Sequence, residues 1–214
     1  YVSTCVGIVF DFEVLDGVSL CFSTNEGGSF FMKRNVLVWV EAAIIAALSM
    51  ALSWIPDFAG WFSPSWGAIV LVIFSLRRGL TPGLAAGLLW GLLHFALGKV
   101  AFLSVEQVLI EYVIAFAVMG LAGLLYSPFQ KALKAEKYTS AITLACTAAF
   151  VGVGVRYFFH YIAGVIFWGK YAPEGMSPWL YSLTVNGTAA LGTFIVVVIA
   201  CVALIRQKKI WIAH

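Results

Sequence analysis

From Val36 onward the chain alternates long apolar runs with short polar interruptions. The first run, Val36–Ile55, stops at Pro56-Asp57. The second, Trp66–Leu76, stops at Arg77-Arg78-Gly79. The third, Pro82–Leu97, opens with a proline in its first turn, where the missing N–H costs nothing. The fourth, fifth and sixth cover Val105–Leu125, Thr139–Trp168 and Pro178–Ile205. A bilayer core takes about 20 helical residues, so runs two and three are expected to be short, tilted or broken. The pattern predicts an all-α, polytopic membrane fold of six transmembrane helices over residues 32–214.

Residues 1–31 follow a different rule. They hold Asp11, Glu13, Asp16 and Glu26 and no basic residue, which excludes an ordinary signal peptide. The alternation of Val6, Ile8, Phe10, Phe12 and Val14 suits a short strand or hairpin. Met32-Lys33-Arg34, directly before the first apolar run, reads as a natural start. Residues 1–31 are therefore expected to be an N-terminal extension, either translated upstream sequence or dispensable, with no function of its own.

Composition strengthens the membrane reading. Hydrophobic residues make up 62% of the 214 residues and charged residues 11%, with a mean hydropathy of +0.98. A soluble domain carries about 25% charge. The net charge of +3 does not point to nucleic acid, because the basic residues sort by helix end. Lys33, Arg34, Arg77, Arg78, Lys131, Lys134, Lys137, Arg206, Lys208 and Lys209, ten of the thirteen, fall on one side of a six-span arrangement. Only Lys99 and Lys170 fall on the other, and Arg156 lies within a span. Basic loops stay in the cytoplasm, so both termini are expected there. The loops Asp57–Ser65, Gly98–Ser104 and Gly169–Ser177 then face outward. No Gly-rich phosphate loop occurs, so the chain is not expected to bind ATP alone. The cysteines Cys5, Cys21, Cys146 and Cys201 lack metal-ligand spacing, and no metal site is expected.

Candidate chemistry concentrates between Arg156 and Gly187. Arg156, His160, Gly164 and Trp168 are spaced by four and form one slowly turning stripe on a helix. Tyr181 and Asn186 follow across the loop. Glu111 lies nearly two turns below the outer start of the fourth run, with Gln107 one turn above it and Tyr112 beside it. Trp61 sits in the first outer loop. Aromatics alone would read as an interfacial belt. An arginine, a histidine and a glutamate inside hydrocarbon each need a partner or a ligand, and that favours a binding pocket open to the outside. Two small-residue stripes mark close helix contacts: Ala43-x-x-x-Ala47-x-x-x-Ala51 and Gly83-x-x-x-Gly87-x-x-x-Gly91. The glycine stripe is expected to pack internally. The alanine stripe leaves open a surface that docks another membrane protein.

Four segments carry a family resemblance: Leu76–Thr81 (LRRGLT), Ile110–Tyr112 (IEY), Tyr157–Trp168 (YFFHYIAGVIFW) and Tyr181–Gly187 (YSLTVNG). In these, and in order across roughly residues 33–206, the chain resembles the thiamine-specific substrate-binding subunit (S component) of energy-coupling factor (ECF) transporters. The resemblance implies a non-enzymatic subunit in a prokaryotic plasma membrane that captures thiamine from outside. Its partners would be a transmembrane coupling subunit and two ATPases, which would use the ATP. Trp168 would stack on the aminopyrimidine, and Trp61 and His160 would flank the thiazolium. Glu111 would supply the countercharge. Tyr181 and Asn186 would bond the pyrimidine edge, and Tyr112 and Arg156 would complete the polar shell, with Gly164 on the same stripe. Ala43 and Ala47 would contact the coupling subunit. The family pattern has lysine where this chain has Arg156, and a tyrosine in the loop where it reads Ala101-Phe102.

Physical chemistry is consistent with that ligand. Tryptophan and tyrosine faces attract cations, by up to about 2 kcal/mol when desolvated. Asparagine offers an aminopyrimidine both a donor and an acceptor. The alternatives are the same architecture for another vitamin or heteroaromatic cation, and an intramembrane enzyme using Glu111 and His160 as acid and base. No nucleophile motif and no second deep carboxylate supports the enzyme.

Overall fold

A computed structural model describes residues 28–55 and 63–212, with side chains from Val36. The expected strand near Val6–Val14 and the loop position Trp61 lie outside the described residues. The chain divides into two compact units, Tyr1–Asn35 and Val36–His214.

Every described segment between the loops is helical. Helix α1 covers Gly28–Leu52, α2 covers Gly67–Arg78 and α3 covers Leu80–Ala96. Helix α1 thus begins before Met32 and runs through the Lys33-Arg34 pair. A long helical stretch, α4, spans Val105–Lys134, and a second, α5, spans Tyr138–Tyr171. Helix α6 covers Pro178–Leu204, and a last short turn, α7, covers Lys208–Trp211. Among the described residues, α4, α5 and α6 are long and apolar enough to cross a membrane, while Val36–Leu52 and Leu80–Ala96 are shorter apolar helices.

Local chemistry sets the boundaries. Helices α2 and α3 meet at Gly79, whose φ of 92° an L side chain rarely adopts. Ser104 caps α4 by accepting from the Gln107 N–H at 3.2 Å. Ser177 accepts from the Leu180 N–H at 3.3 Å, and Pro178 takes the first turn of α6.

The short α2 lies inside the bundle, with Leu71, Val72, Phe74 and Leu76 buried. That accounts for its length: a helix wrapped by protein need not match the hydrocarbon thickness. The glycine stripe of α3 packs internally, as its spacing suggested. A side chain at Gly83 would strike Ser75 and the Gly120 carbonyl, one at Gly87 the Phe116 carbonyl, and one at Gly91 the Tyr112 carbonyl. Backbone therefore lies on backbone along the α3–α4 seam, a packing that only small residues permit in lipid. On α1 the faces separate. Ala42, Ala46, Ser49 and Met50 are buried, whereas Ala43, Ala47 and Ala51 are exposed among Val40, Ile44 and Leu48.

At the end of the bundle that carries most basic residues, Glu41 pairs with Arg77 at 3.1 Å and with Arg78. Arg77 also donates to the carbonyls of Lys209 and Ile210 at 2.7 and 2.8 Å. Gln130 donates to the carbonyls of Leu76 and Trp211, each at 2.8 Å. Trp211 is fully buried, its ring 5.0 Å from that of Phe129 and its N–H on the Leu204 carbonyl at 2.8 Å. The C-terminal turn is thereby fastened to α2 and α4.

Candidate functional site

Helix α4 departs from α-geometry at Leu109–Ile114, a π-turn that contains Glu111 and Tyr112. Helix α5 does the same at Gly164–Trp168. A π-turn fits one extra residue into a helix and commonly marks a functional position. The two turns face each other: the Trp168 indole N–H donates to Glu111 Oε1 at 2.8 Å. The Gln107 carboxamide donates to Glu111 Oε2, and Gln107 Oε1 accepts from the Leu103 N–H at 3.1 Å. Glu111 is only 7% exposed. It is thus a buried carboxylate held by two neutral donors, with no cation bonded to it among the described residues.

This carboxylate lies on the wall of a cavity of about 390 Å³. Seven of the sequence-derived candidates line it together: Glu111, Tyr112, His160, Gly164, Trp168, Tyr181 and Asn186. Gly164 is required for that closeness, because a side chain there would meet Ser182 Oγ and the Asn186 carboxamide. Ser182 in turn donates to the Tyr161 carbonyl at 2.7 Å and accepts from Asn186 Nδ2 at 3.1 Å, which fixes the amide. Tyr112 accepts from the Ala101 N–H at 3.0 Å, tying the loop after α3 to the wall.

Arg156 sits apart from Glu111. It lines an adjoining chamber of about 570 Å³ that shares His160, Tyr181, Val185 and Asn186 with the first. Its guanidinium lies over the rings of Phe116, Trp90 and Tyr157 at 4.2, 4.7 and 5.5 Å, and donates to Ser65 Oγ at 3.0 Å. Cation–π contacts hold it, and it does not neutralise Glu111.

Beyond Ser182 and Val185, which fall inside the Tyr181–Gly187 segment, three wall residues escape a sequence reading. His94, buried near the end of α3, places its ring 4.6 Å from Phe116 and 5.7 Å from Tyr112, and its Nδ1 is 2.9 Å from the Trp90 carbonyl. Phe116 forms the floor between His94 and His160. Lys99 stands at the rim over the Trp54 ring and donates to the Ser53 carbonyl. The one available signal was the i, i+4 pair Trp90–His94, masked by the glycine stripe on the same helix.

The cavity combines one carboxylate with several ring faces. It offers a carboxylate, indole, phenol and imidazole faces, and a fixed carboxamide. No group of three or more metal-ligating side chains occurs among the described residues.

Residues 39–212 match the family described as Thiamine transporter protein (Thia_YuaJ). The thiamine transporter ThiT of Lacticaseibacillus paracasei is 39% identical over 186 residues, covering 84% of this chain and 92% of that one. ThiT of Bacillus subtilis is 33% identical over 185 residues, covering 83% and 95%. A solved structure of ThiT from Listeria monocytogenes superposes with a TM-score of 0.81 at 38% identity, covering 84% of this chain and all of that one. With its apolar helices and bacterial relatives, the chain is a multi-pass protein of a prokaryotic plasma membrane and belongs to the thiamine transporter protein family.

Proposed function

We propose that this protein binds thiamine from the outer face and is the substrate-binding subunit of an ATP-driven importer of the ECF type. The observation that carries the reading is Glu111: a buried carboxylate bonded by the Trp168 indole and the Gln107 amide, on the wall of an aromatic cavity. One carboxylate facing one fixed cation is the least costly way to bury both. Trp168 supplies a face for the aminopyrimidine, His160 flanks the thiazolium, and Tyr181 and Asn186 meet the pyrimidine edge. Tyr112 and Gly164 complete the wall, and Arg156 lines the adjoining chamber; the family resemblance adds Trp61 beside the thiazolium. Titrating intrinsic tryptophan fluorescence with thiamine tests the reading: saturable capture without turnover supports it, and no response rejects it.

In this reading, which rests on the family resemblance, two partner ATPases acting through a coupling subunit hydrolyse the ATP, and the lack of a Gly-rich phosphate loop in this chain is in keeping with it. In this reading six helices cross the bilayer with both termini in the cytoplasm. The exposed Ala43 and Ala47 are the coupling contact. Replacing both with leucine holds a partner helix away. Thiamine binding by the purified subunit then persists while uptake in cells falls to background; normal uptake by the double variant removes the contact from α1. Residues 1–31 stand outside this function. A protein starting at Met32 is expected to bind thiamine with unchanged affinity in the same titration, and loss of binding assigns them a role.

A further inference from the structure

Gln107 makes one bond more than the start of its helix requires. Ser104 Oγ accepts from the Gln107 N–H at 3.2 Å, and Gln107 Oε1 accepts from the Leu103 N–H at 3.1 Å. This is a form of the reciprocal cap in which a serine and, three residues on, a glutamine or glutamate satisfy each other's neighbouring N–H groups. Glutamate serves that cap as well as glutamine, because only an acceptor is needed. Here the other half of the amide is also used: Nε2 donates to Glu111 Oε2. The orientation follows from the first contact. A backbone N–H can only donate, so the amide oxygen must face Leu103 and the NH2 must face Glu111.

Gln107 is fully buried and stands behind Glu111, off the cavity wall. Its anchor belongs to the segment between α3 and α4, which is itself held at two further points. The Ala101 N–H donates to the Tyr112 hydroxyl at 3.0 Å, and Lys99 donates to the Ser53 carbonyl. The second oxygen of Glu111 takes the Trp168 indole N–H at 2.8 Å. The carboxylate is therefore pinned from two sides, by α5 directly and by the loop after α3 through Gln107. We propose that Gln107 is a positioning residue for thiamine recognition, which carries the placement of this outer loop to Glu111 and keeps the carboxylate turned toward the cavity. The proposal rests on the reading that Glu111 faces the thiazolium. Without the amide, the Leu103 N–H and Glu111 Oε2 lose their partners together. A buried polar group left unpaired is costly, and the carboxylate recovers a donor by turning from the cavity toward the loop.

The test titrates the purified full-length protein, by tryptophan fluorescence, with thiamine and with a neutral analogue lacking the thiazolium charge. The natural chain is compared with Gln107→Met, Gln107→Glu, Glu111→Gln and the double variant Gln107→Met with Glu111→Gln. Losing a hydrogen bond to a charged group is worth about tenfold or more. Thiamine affinity is expected to fall by about that factor in Gln107→Met, with the neutral analogue nearly unaffected. Gln107→Glu keeps the cap, and hence the Tm, but sets a second carboxyl against Glu111. Two carboxyls so close share one proton, which draws charge off the cavity wall, so thiamine affinity falls here too. The double variant is expected to bind thiamine as Glu111→Gln does alone, because Gln107 acts through that carboxylate. Equal losses for both ligands, fully additive losses in the double variant, or natural affinity in Gln107→Glu overturn the proposal and leave Gln107 a cap. Should Gln107→Met fail to fold, Gln107→Glu decides, since the cap survives in it. Thiamine affinity untouched by Glu111→Gln refutes the countercharge reading and this proposal with it, whereas failure of thiamine to bind the natural chain refutes the function proposed above.

Discussion

The two ends of the bundle treat polar groups in opposite ways. At the basic end, charges are paired within the protein. Glu41 answers two arginines, Gln130 bridges two carbonyls, and the Trp211 N–H has its own acceptor. At the cavity end, among the described residues, Glu111 has neutral donors and no bonded cation, and Arg156 has ring faces and no paired anion. Matched groups stabilise the fold and leave little to offer a guest. Groups held in place but unneutralised cost stability and can be completed by a ligand. The contrast separates stability from binding, and variants at each end can break it.

The largest effect is expected from Glu111→Gln. It keeps the shape and the Trp168 and Gln107 neighbours but removes the charge. An unpaired buried ligand cation costs about 3–5 kcal/mol, so thiamine affinity falls by about two to three and a half orders of magnitude, at about 1.4 kcal/mol per tenfold. Arg156 lies away from Glu111, so the folded state loses no ion pair and thermal stability holds. A neutral analogue without the thiazolium charge separates charge from shape: its affinity stays nearly constant in the variant. Equal losses for both ligands would remove Glu111 as the countercharge.

The mirror experiment is Trp211→Ala. Removing a fully buried tryptophan costs about 3–5 kcal/mol of stability, read as a lower Tm in detergent. Ligand affinity measured below the transition stays unchanged. A thiamine affinity that falls with Tm would show the two ends to be one cooperative unit.

The smallest effect is expected from Glu136→Gln. The carboxylate pairs with Lys208 at 2.5 Å on the surface. Lys208 holds the Glu136 carboxyl below its ordinary range, and Glu136 holds the Lys208 ammonium above its own. A depressed carboxylate contributes stability above its unfolded value and loses it as pH falls through the folded one. Solvent screens both groups, so the variant's Tm at pH 7 is expected to match the parent's. A measurable drop would make this contact part of the C-terminal fastening.

Much of the fold was legible because hydrocarbon leaves few solutions. Each apolar run had to satisfy its backbone internally, so each became a helix, with ends at Pro, Gly and charge. The stripe from His160 through Gly164 to Trp168 was legible for the same reason, since spacing by four survives as a face. Arg156 was legible as a stripe member but not in its surroundings, because Trp90 and Phe116 reach it from α3 and α4. His94 shows the opposite failure. Its helix advertises packing through Gly83, Gly87 and Gly91, and only tertiary approach turns the His94 ring toward His160 across Phe116. The π-turns were not legible at all, since nothing in the local residues announces i→i+5 bonding.

Those turns make chain length a determinant of recognition. Regular helix advances about 100° per residue. Deleting any one residue within Leu109–Ile114 would let α4 wind regularly, but only by turning everything toward Ser104 about a quarter of the way round its axis. Gln107 would turn away from Glu111 even though it had not been replaced. The same deletion within Gly164–Trp168 would swing the indole away from Glu111. In this protein the number of residues between helix caps specifies the guest as firmly as their identity does.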